Sequence, residues 1–460
     1  MHTIAAIATP NSAGSVAVIR ISGEDAFEIA ERVFVPVNSK ERPVNQMAGY
    51  TASYGKITDG DLELDDGVLL VFRAPKSYTG ENVAEITCHG GVFVARRVLS
   101  ACINAGASLA EAGEFTKRAV LNGKMSLTQA ESVVDVINSV SEQYLICSNA
   151  QKSGSLHRKI NEISERILAV SAHIAAWLDY QEEGLDDFEA DSHIGELSDC
   201  RLQLSMLLKS YEVAATLREG IVTAIVGKPN AGKSTLMNLL TGRERSIVTD
   251  IPGTTRDVIE ETVKLPGNDG VILRLCDCAG IRDTDDVVER IGIEYMYRQI
   301  EEASLILAVF DNSRPLEQDD FALLERIKGR NAVCIVNKID LPDSSLDLAV
   351  LSGHFKNVVR ISAKNADSLE GLSAVIGEIF DTASLDLSAG FIANERQRFC
   401  VTEAERTLNE AVSGLESGEV SLDVTGFLLE NTLESLYRLS GKSAGEQIID
   451  EVFRSFCVGK

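Results

Sequence analysis

Residues 223–227 are TAIVG, residues 227–235 are GKPNAGKST, and residues 234–242 are STLMNLLTG. The first run has the apolar pattern of a buried strand, and the last has the pattern of a helix. Between them lies a GxxxxGK[ST] loop, whose glycines let backbone N–H groups turn inward around phosphate oxygens. The flanking strand and helix disfavour an ordinary glycine-rich turn, so this order predicts a nucleotide-binding P-loop.

The residues of this loop have separate predicted roles. We expect Lys233 to reach the β- and γ-phosphates, the Ser234 hydroxyl to hold Mg²⁺, and Thr235 to begin the helix. Asn230 offers a neutral carbonyl oxygen near the phosphates, a ligand type that suits K⁺. The predicted nucleotide contacts of the loop are Asn230, Ala231, Gly232, Lys233, Ser234 and Thr235.

A second motif, NKID at 337–340, follows an apolar run and indicates which base is bound. The two carboxylate oxygens of Asp340 match the two adjacent donors of guanine, whereas adenine cannot match both. A wrong base would leave a buried charge unsatisfied, which is strong discrimination. A helix cap is the alternative for NKID taken alone; together with the P-loop, the motif predicts GTP. The residues expected to brace this loop or support the base are Asn337, Lys338, Ser362, Ala363 and Lys364.

Two further segments have the character of GTPase switch loops. In TDIPGTTRD at 249–257, Thr255 is placed to give Mg²⁺ a second protein ligand. DCAG at 277–280 matches DxxG, where Asp277 holds Mg²⁺ through water and the N–H of Gly280 senses the γ-phosphate. The other nucleotide contacts expected in these segments are Thr249, Thr254 and Ala279.

The residue after DxxG bears on how water is activated. Ras-like proteins place a glutamine there to orient the attacking water, but here it is Ile281, which cannot hydrogen-bond. Either hydrolysis is slow or another group takes over, and Glu289 is the best candidate, acting through a bridging water. The alternative for Glu289 is a solvated helix face.

Composition limits the classes of function. The 460 residues suggest two to four domains, and 44 Lys and Arg against 69 Asp and Glu give a net charge of −25. Because such a chain repels phosphate, an RNA substrate requires a local basic patch or a basic partner subunit. No apolar run is long enough for a membrane span, the N-terminus lacks secretory features, and the nine cysteines show no disulfide or zinc spacing. A cytoplasmic protein is expected.

The pattern changes three times along the chain. Residues 1–124 alternate strand-like runs and turns and predict an α+β domain. Residues 125–218 and 383–460 have helical periodicity, the first block starting at a capping-box pattern at 128–131. Residues 219–382 alternate strands and helices, as in a doubly wound domain. The predicted class is therefore α/β and α, with a Ras-like P-loop GTPase domain inserted in a composite helical domain.

These features together resemble the MnmE (TrmE) tRNA modification GTPases over essentially the whole chain. Matches at both ends, at the correct distance from the P-loop, are more specific than the GTPase motifs alone. The markers are ATP at 8–10, VIRISG at 18–23, YTGENVAEITCHGG at 78–91, AGEFTKRAVLNGKMSLTQAE at 112–131 and FCVGK at 456–460.

The resemblance implies a homodimer joined through N-terminal domains that are similar to tetrahydrofolate-binding one-carbon domains. It also implies that Arg20, Glu85, Lys124 and Lys460 contact a 5-formyl- or 5,10-methylene-tetrahydrofolate ligand. Glu85 could accept from the pterin amino edge, and the cations could meet carboxylates or carbonyls. Without the resemblance, Arg20 and Lys124 look like ordinary surface charges.

For the GTPase domain, the resemblance implies K⁺-stimulated hydrolysis and dimerisation of two GTPase domains across the ion. The ion would take the place of an arginine finger. Glu289 matches the water-orienting glutamate, and Arg282 matches a basic second-switch residue that acts beside Lys233 in catalysis. The implied K⁺ ligands are Asn230 and the loop that contains Thr249, Ile251 and Thr254.

The implied reaction adds an aminomethyl or carboxymethylaminomethyl group to carbon 5 of the tRNA wobble uridine, with a flavin- and NADH-using partner of the MnmG (GidA) type. That partner could provide much of the RNA-binding surface. Cys457 is a candidate for chemistry because it lies beside the terminal Gly-Lys. A buried packing cysteine is an equal alternative.

Two other functions compete with this one. A GTP-switched ribosome-assembly factor of the Era or Der type usually has a basic RNA-binding module or a second GTPase domain, and neither pattern occurs here. A mechanical GTPase of membranes lacks support because there is no basic amphipathic helix or lipidation motif.

Two other motifs are not assigned a catalytic role. GKSAG at 441–445 matches a nucleophile elbow but has no strand before it, and His89 in CHGG is expected to be a structural turn residue.

Overall fold

The computed structural model describes residues 2–37, 43–179, 190–242, 261–265, 272–275, 297–342, 344–365, 369–380, 389–443, 452, 453, 456 and 459. The contacts between residues divide the chain into two compact units. The first contains residues 1–134, 151–201 and 399–460, and the second contains residues 135–150 and 202–398. The domain boundaries expected at 124, 218 and 382 stay predictions.

A seven-stranded sheet forms the N-terminal part of the first unit, in the order β3-β4-β5-β6-β2-β1-β7. Neighbouring strands are antiparallel except β1 and β7. Five strands coincide with predicted apolar runs, which confirms the α+β assignment. The strands are β1 Ile4–Ile7, β2 Val16–Ser22, β3 Phe34–Pro36, β4 Thr51–Asp59, β5 Leu62–Phe72, β6 Val83–His89 and β7 Ser108–Leu109.

Helices α1 (Ala26–Val33) and α2 (Val92–Asn104) cover one face of this sheet. Alternate residues of β2 and β6, such as Ile19 and Ile86, point into that core and are fully buried. Because side chains alternate along a strand, Arg20, the next residue after Ile19, lies on the opposite face. Glu85 is its direct cross-strand partner. The sheet register therefore places the two predicted folate residues side by side.

Long helices complete the first unit. Helix α6 (Ser155–Asp179) packs against α13 (Leu422–Ser440), although the two are far apart in sequence. The Thr407 hydroxyl of α12 (Glu395–Ser417) lies 2.8 Å from the Thr432 hydroxyl of α13. No helix in the described part of the chain is long and apolar enough to cross a bilayer. Besides α1, α2 and the helices that cover the second unit's sheet, the described helices are α3 Glu114–Leu121, α4 Leu127–Ile137, α5 Glu142–Lys152, α6 Ser155–Asp179, α7 Ala190–Glu219, α12 Glu395–Ser417 and α13 Leu422–Ser440. Residues 142–150 of α5 and 202–219 of α7 belong to the second unit.

The start of α4 corrects one prediction. The capping box lies at Ser126 and Gln129, not at Thr128 and Glu131: the Gln129 side chain accepts from the Ser126 N–H at 2.9 Å, and the Ser126 hydroxyl accepts from the Gln129 N–H at 3.3 Å. Both pairs have the required spacing. The pair that forms the capping box is the one whose first residue, Ser126, directly precedes the first helical residue. Only at the start of a helix do backbone N–H groups lack partners within the helix.

The second unit contains a six-stranded sheet in the order β13-β12-β11-β8-β10-β9, parallel except for the β9–β10 pair. Its strands are β8 Ile221–Val226, β9 Glu261–Lys264, β10 Ile272–Leu275, β11 Leu305–Asp311, β12 Ala332–Asn337 and β13 Asn357–Arg360. Its helices are α8 Lys233–Thr241, α9 Gln318–Arg326, α10 Leu348–His354 and α11 Leu369–Ile379.

Helices cover both faces of this sheet. Ile225 of β8 packs in one core with Leu236 of α8, while Ala224 packs in the other core with Leu324 of α9. This arrangement confirms the doubly wound prediction. Because β8, β11, β12 and β13 are parallel, the loops that follow them meet at one edge of the sheet, where ligands of such folds bind.

Candidate nucleotide-binding site

The P-loop follows β8, and two glycines give it its shape. Gly227 has φ +145° and lies so close to β11 that a Cβ would be 2.4 Å from the Val309 carbonyl oxygen. Gly232, at φ +100°, precedes α8, and a Cβ there would be 2.1 Å from the Asn337 side-chain nitrogen. Asn230 also has a positive φ, of +65°. The loop thus forms a backbone cradle that side chains at these glycines would fill, which fits a bound phosphate chain.

Lys233, the first residue of α8, folds back over the loop. Its ammonium group donates to the carbonyls of Gly227 and Lys228, each at 2.8 Å. Ser234 and Thr235 are exposed beside it at the N-terminus of α8, where the helix dipole favours negative charge. The cation and the exposed hydroxyl are of the types that triphosphate and Mg²⁺ require.

Asn337 connects the loops at this edge. Its side-chain nitrogen donates to the Ala231 carbonyl at 3.0 Å, and its side-chain oxygen accepts from the Ala363 N–H at 2.9 Å. The residue is only 2% exposed. Because it uses both ends of its amide, the predicted base-binding loops and the P-loop form one hydrogen-bonded assembly.

Lys338 provides a second connection, through a residue that the sequence analysis missed. Its ammonium group donates to the Asn230 carbonyl at 2.8 Å and to the Asp311 carboxylate at 2.6 Å. Burial raises the pKa of Asp311, but hydrogen bonds from Lys338 and Ser313 outweigh it, so the net pKa is lowered. The available signal was position: Asp311 ends an apolar strand that is parallel to β12.

Asp340, the predicted guanine-reading residue, lies beside Ser362 and Lys364. The Ser362 hydroxyl donates to one carboxylate oxygen at 2.8 Å, and the Lys364 ammonium lies 3.7 Å from the other. The Ser362 hydrogen bond is the main cause of a pKa below the ordinary value for Asp340. The side chain is 37% exposed. It is therefore an ionised, oriented acceptor, as recognition of guanine requires.

Lys228 attaches the other end of the P-loop to the start of α9. Its ammonium group lies 2.5 Å from the Glu317 carboxylate and 3.6 Å from that of Asp320. The Glu317 hydrogen bond is the main cause of a raised pKa of Lys228. Lys228 therefore connects the P-loop with the segment that follows β11, while Asp311, the last residue of β11, holds Lys338 beside the P-loop.

Reversing the charge in Lys228→Glu is expected to weaken GDP affinity about tenfold, because it repels both carboxylates and loosens the loop. Dissociation of a fluorescent GDP analogue measures this. The double variant Lys228→Glu/Glu317→Lys should recover most of the affinity, and Lys228→Arg should keep it. A double variant as weak as the single one would show that the ion pair does not position the loop.

Several predicted site residues lie outside the described residues, so their roles stay predictions. They are Thr249, Ile251, Thr254, Thr255, Asp277, Ala279, Gly280, Arg282, Glu289, Cys457 and Lys460.

A second group of predicted residues lies on the first unit's sheet. Arg20 and Glu85 form an ion pair of 2.7 Å with side chains only 20% and 18% exposed. The Arg20 guanidinium lies over the rings of Tyr78 and Phe115, 5.5 and 5.6 Å from their centroids. The residue-based expectation that Arg20 is an ordinary surface charge is wrong, because sheet register and two aromatic rings partly bury it.

The C-terminal end of the chain reaches the same place. The Gly459 carbonyl accepts from Arg20 at 3.4 Å, and Gly459 has φ +101°. Lys124, in contrast, is exposed, and its ammonium group donates to the Pro75 carbonyl at 2.9 Å. Of the four predicted folate residues, the structure joins Arg20 and Glu85 and describes Lys124 as a surface lysine.

Three of the sequence markers of the resemblance, at 18–23, 78–91 and 112–131, meet in a buried network. Arg118, with a side chain 3% exposed, contacts Glu81 at 3.1 Å and Glu114 at 2.7 Å. Glu81 also accepts from the Ser22 hydroxyl at 2.7 Å. The charged residues of these motifs thus stabilise the first unit, since removing one partner of a buried pair costs about 3–5 kcal/mol.

His89 ends β6 and is held by Asp65. Both its backbone N–H and its ring Nδ1 contact that carboxylate at 2.8 Å. These bonds agree with the structural role expected for His89 at the turn.

Comparison with known proteins identifies the family to which the chain belongs. Residues 3–124 match the model of the GTP-binding protein TrmE N-terminus, and residues 127–457 match that of the MnmE helical domain. The tRNA modification GTPase MnmE of Acetivibrio thermocellus is 38% identical over 464 residues, and that of Lachnoclostridium phytofermentans is 40% identical over 466. Each alignment covers 100% of this chain and 99% of the relative. The solved G domain of the T. maritima FeoB iron transporter is 27% identical, with a TM-score of 0.26, and covers 36% of this chain and 99% of that one. From the family models and the full-length relatives, the chain belongs to the MnmE family of tRNA modification GTPases.

Proposed function

We propose that this GTP hydrolase drives addition of an aminomethyl or carboxymethylaminomethyl group to carbon 5 of the tRNA wobble uridine, in the cytoplasm. The observation that carries the proposal is the hydrogen-bonded assembly of the predicted guanine-binding loops: Asn337 joins the P-loop to the segment after β13, where Ser362 orients Asp340. It occurs in a chain that aligns over its full length with proteins named tRNA modification GTPases.

Nucleoside mass spectrometry of bulk tRNA from cells that lack this protein tests the function. Loss of 5-substituted wobble uridines, restored by the wild type but not by Glu289→Ala, is the expected result. It would connect the modification with GTP turnover. An unchanged uridine profile would refute the proposal, and ribosome assembly would be the function to test next.

In hydrolysis, the described residues bind and position the triphosphate. Lys233 exchanges its two carbonyl contacts for the β- and γ-phosphate oxygens. The N–H groups of the P-loop hold the triphosphate so that the attacking water and the leaving oxygen are in line. When bound at Ser234 and Thr255, Mg²⁺ would neutralise charge that develops on the phosphate oxygens. Glu289 orients the attacking water, a role that Ile281 cannot perform.

K⁺ stimulation rests on Asn230, whose backbone the hydrogen bond from Lys338 holds in place. With Thr249, Ile251 and Thr254 it would complete the cation site. Replacing K⁺ by Na⁺ at equal ionic strength should slow GTP hydrolysis at least about tenfold, because Na⁺ is too small for a carbonyl cage of K⁺ size. Phosphate release measures the rate, and Asn230→Ala should remove the difference between the two ions. Identical rates for the wild type in both salts would refute K⁺ dependence.

The tetrahydrofolate one-carbon donor, in its 5-formyl or 5,10-methylene form, is proposed to bind where Arg20 and Glu85 meet. The ion pair offers a donor and an acceptor beside two aromatic rings, which suits a flat heterocycle with polar edges. Lys124 and Lys460 would meet the carboxylates of the ligand.

Replacing Glu85 by alanine should weaken 5-formyltetrahydrofolate binding at least about tenfold, because the acceptor is lost and Arg20 is left unpaired. Isothermal titration calorimetry measures the affinity. Glu63→Ala is the matched control, because Glu63 also pairs with a cation of this sheet, Lys56 at 2.6 Å, but is exposed. Equal affinity in the Glu85 variant and this control would move the folate site elsewhere.

The proposed assembly is a homodimer through the N-terminal domains, working with a flavoprotein of the MnmG type. The sheet face that carries Arg20 supports the dimer, because Val16 and Tyr54 on it are 58% and 54% exposed. Exposed apolar side chains on one face favour a protein interface.

A further inference from the structure

An open groove of about 530 Å³ lies in the second unit, at the edge of the sheet opposite to the P-loop. The segment after α9 (328–332), the end of α10 with the residues that follow it (353–357), and the end of α11 (378–379) form its walls. Parallel strands start at this edge, at Ala332 and Asn357. Occupants of the groove therefore need not compete with GTP.

The charge of the groove is opposite to that of the chain. Its lining includes the basic residues Lys328, Arg330 and Lys356, together with His354, and one acidic residue, Glu378. The whole chain has 69 acidic against 44 basic residues. A polyanion that the protein as a whole repels meets a local excess of positive charge here.

The cations of the groove are accessible. Lys356 is exposed and makes no ion pair with any residue that the structure describes. Lys328 is 72% exposed, and its contact with Glu325, at 3.7 Å, is long. Exposed pairs of this kind are weak and are readily exchanged for a phosphate.

Two further groups of the groove are held in position. The Arg330 guanidinium donates through Nη2 to the carbonyls of Ile300 and Ala303, at 2.6 and 3.2 Å. Nδ1 of His354 lies 2.9 Å from the Val350 carbonyl, so it must carry the proton. The ring is exposed, and its Nε2 is left to meet a polar group of a ligand, such as a ribose 2′-hydroxyl.

We propose that this groove binds the phosphate backbone of the tRNA on which the protein acts. The inference rests on the proposed function for the identity of the RNA. Backbone contacts position a nucleic acid without reading its sequence. The groove is therefore a docking site that leaves the choice of the wobble uridine to the modification chemistry.

Binding of fluorescently labelled tRNA to the full-length protein, measured over a range of KCl concentrations, tests the groove. The double variant Lys328→Glu/Lys356→Glu should bind at least about tenfold more weakly. The slope of the logarithm of the binding constant against the logarithm of the salt concentration should fall by about one for each lysine. The control Lys152→Glu/Lys209→Glu reverses two exposed helical lysines and should bind as the wild type does. GTP hydrolysis should be unchanged in both variants.

Unchanged affinity and salt dependence in the groove variant would overturn the inference. If the wild type still restores the wobble uridines in cells, the proposed function stands and only the groove assignment fails. If the wild type neither binds tRNA nor alters its uridines, both proposals fail. Normal tRNA binding combined with loss of an acidic protein partner would reassign the groove to that partner.

Discussion

The variant Asp340→Asn is expected to lose at least about 100-fold in kcat/KM for GTP and to gain activity with xanthosine triphosphate. Its amide offers one acceptor and one donor group where guanine needs two acceptors. Each charge-assisted hydrogen bond is worth about 1.5–3 kcal/mol, and about 1.4 kcal/mol corresponds to tenfold. Xanthine has a carbonyl where guanine has its amino group, so the amide matches it better.

Steady-state phosphate release with GTP and with xanthosine triphosphate measures this change. Asp319→Asn is the control, because the Asp319 side chain is 84% exposed and its contact with Lys228, at 3.9 Å, is long. We expect that variant to keep the wild-type preference. If Asp340→Asn also keeps it, Asp340 does not contact the base.

The variant Gly232→Ala is expected to bind GDP at least about 100-fold more weakly. Its free energy of unfolding should also be lower by about 1–3 kcal/mol. Its Cβ would lie 2.1 Å from the Asn337 side-chain nitrogen, and its φ of +100° is strained for alanine. Asn337 would have to move, and its bonds to Ala231 and Ala363 would break. The P-loop and the base-binding loops would then no longer be held together.

Equilibrium binding of a fluorescent GDP analogue and urea denaturation measure the two effects. Gly371→Ala is the matched control: it lies inside α11, and the nearest atom to its added Cβ is 4.0 Å away. We expect it to raise the free energy of unfolding by about 0.5–1 kcal/mol, since alanine favours helices. A Gly232 variant with wild-type affinity would disprove the close contact with Asn337.

Much of the nucleotide site could be predicted because its signals are local. An apolar strand followed by GKPNAGKST specifies a loop whose shape depends on its own glycines. NKID lies at the end of another such strand. The structure joins Asn337 with Ala231 and Asp340 with Ser362, pairs that the sequence analysis did not specify.

The supporting residues could not be predicted in the same way. Asp311 and Glu317 are ordinary acidic residues in sequence, and only the order of parallel strands brings them to Lys338 and Lys228. Likewise, nothing in the local pattern separates Arg20, partly buried beside Glu85, from an exposed lysine such as Lys124.

Sequence alone was sufficient for the P-loop, the guanine-reading motif, the alternation of strands and helices, and the family, because each depends on residues close together in the chain or on a full-length match. Tertiary structure decided the partners: Lys338 with Asn230, 108 residues away, and Arg20 with Gly459, 439 residues away. It also decided which faces are covered and where basic groups collect. The physical reason is that an ion pair or a buried charge depends on distance in space, and strand order and register set that distance.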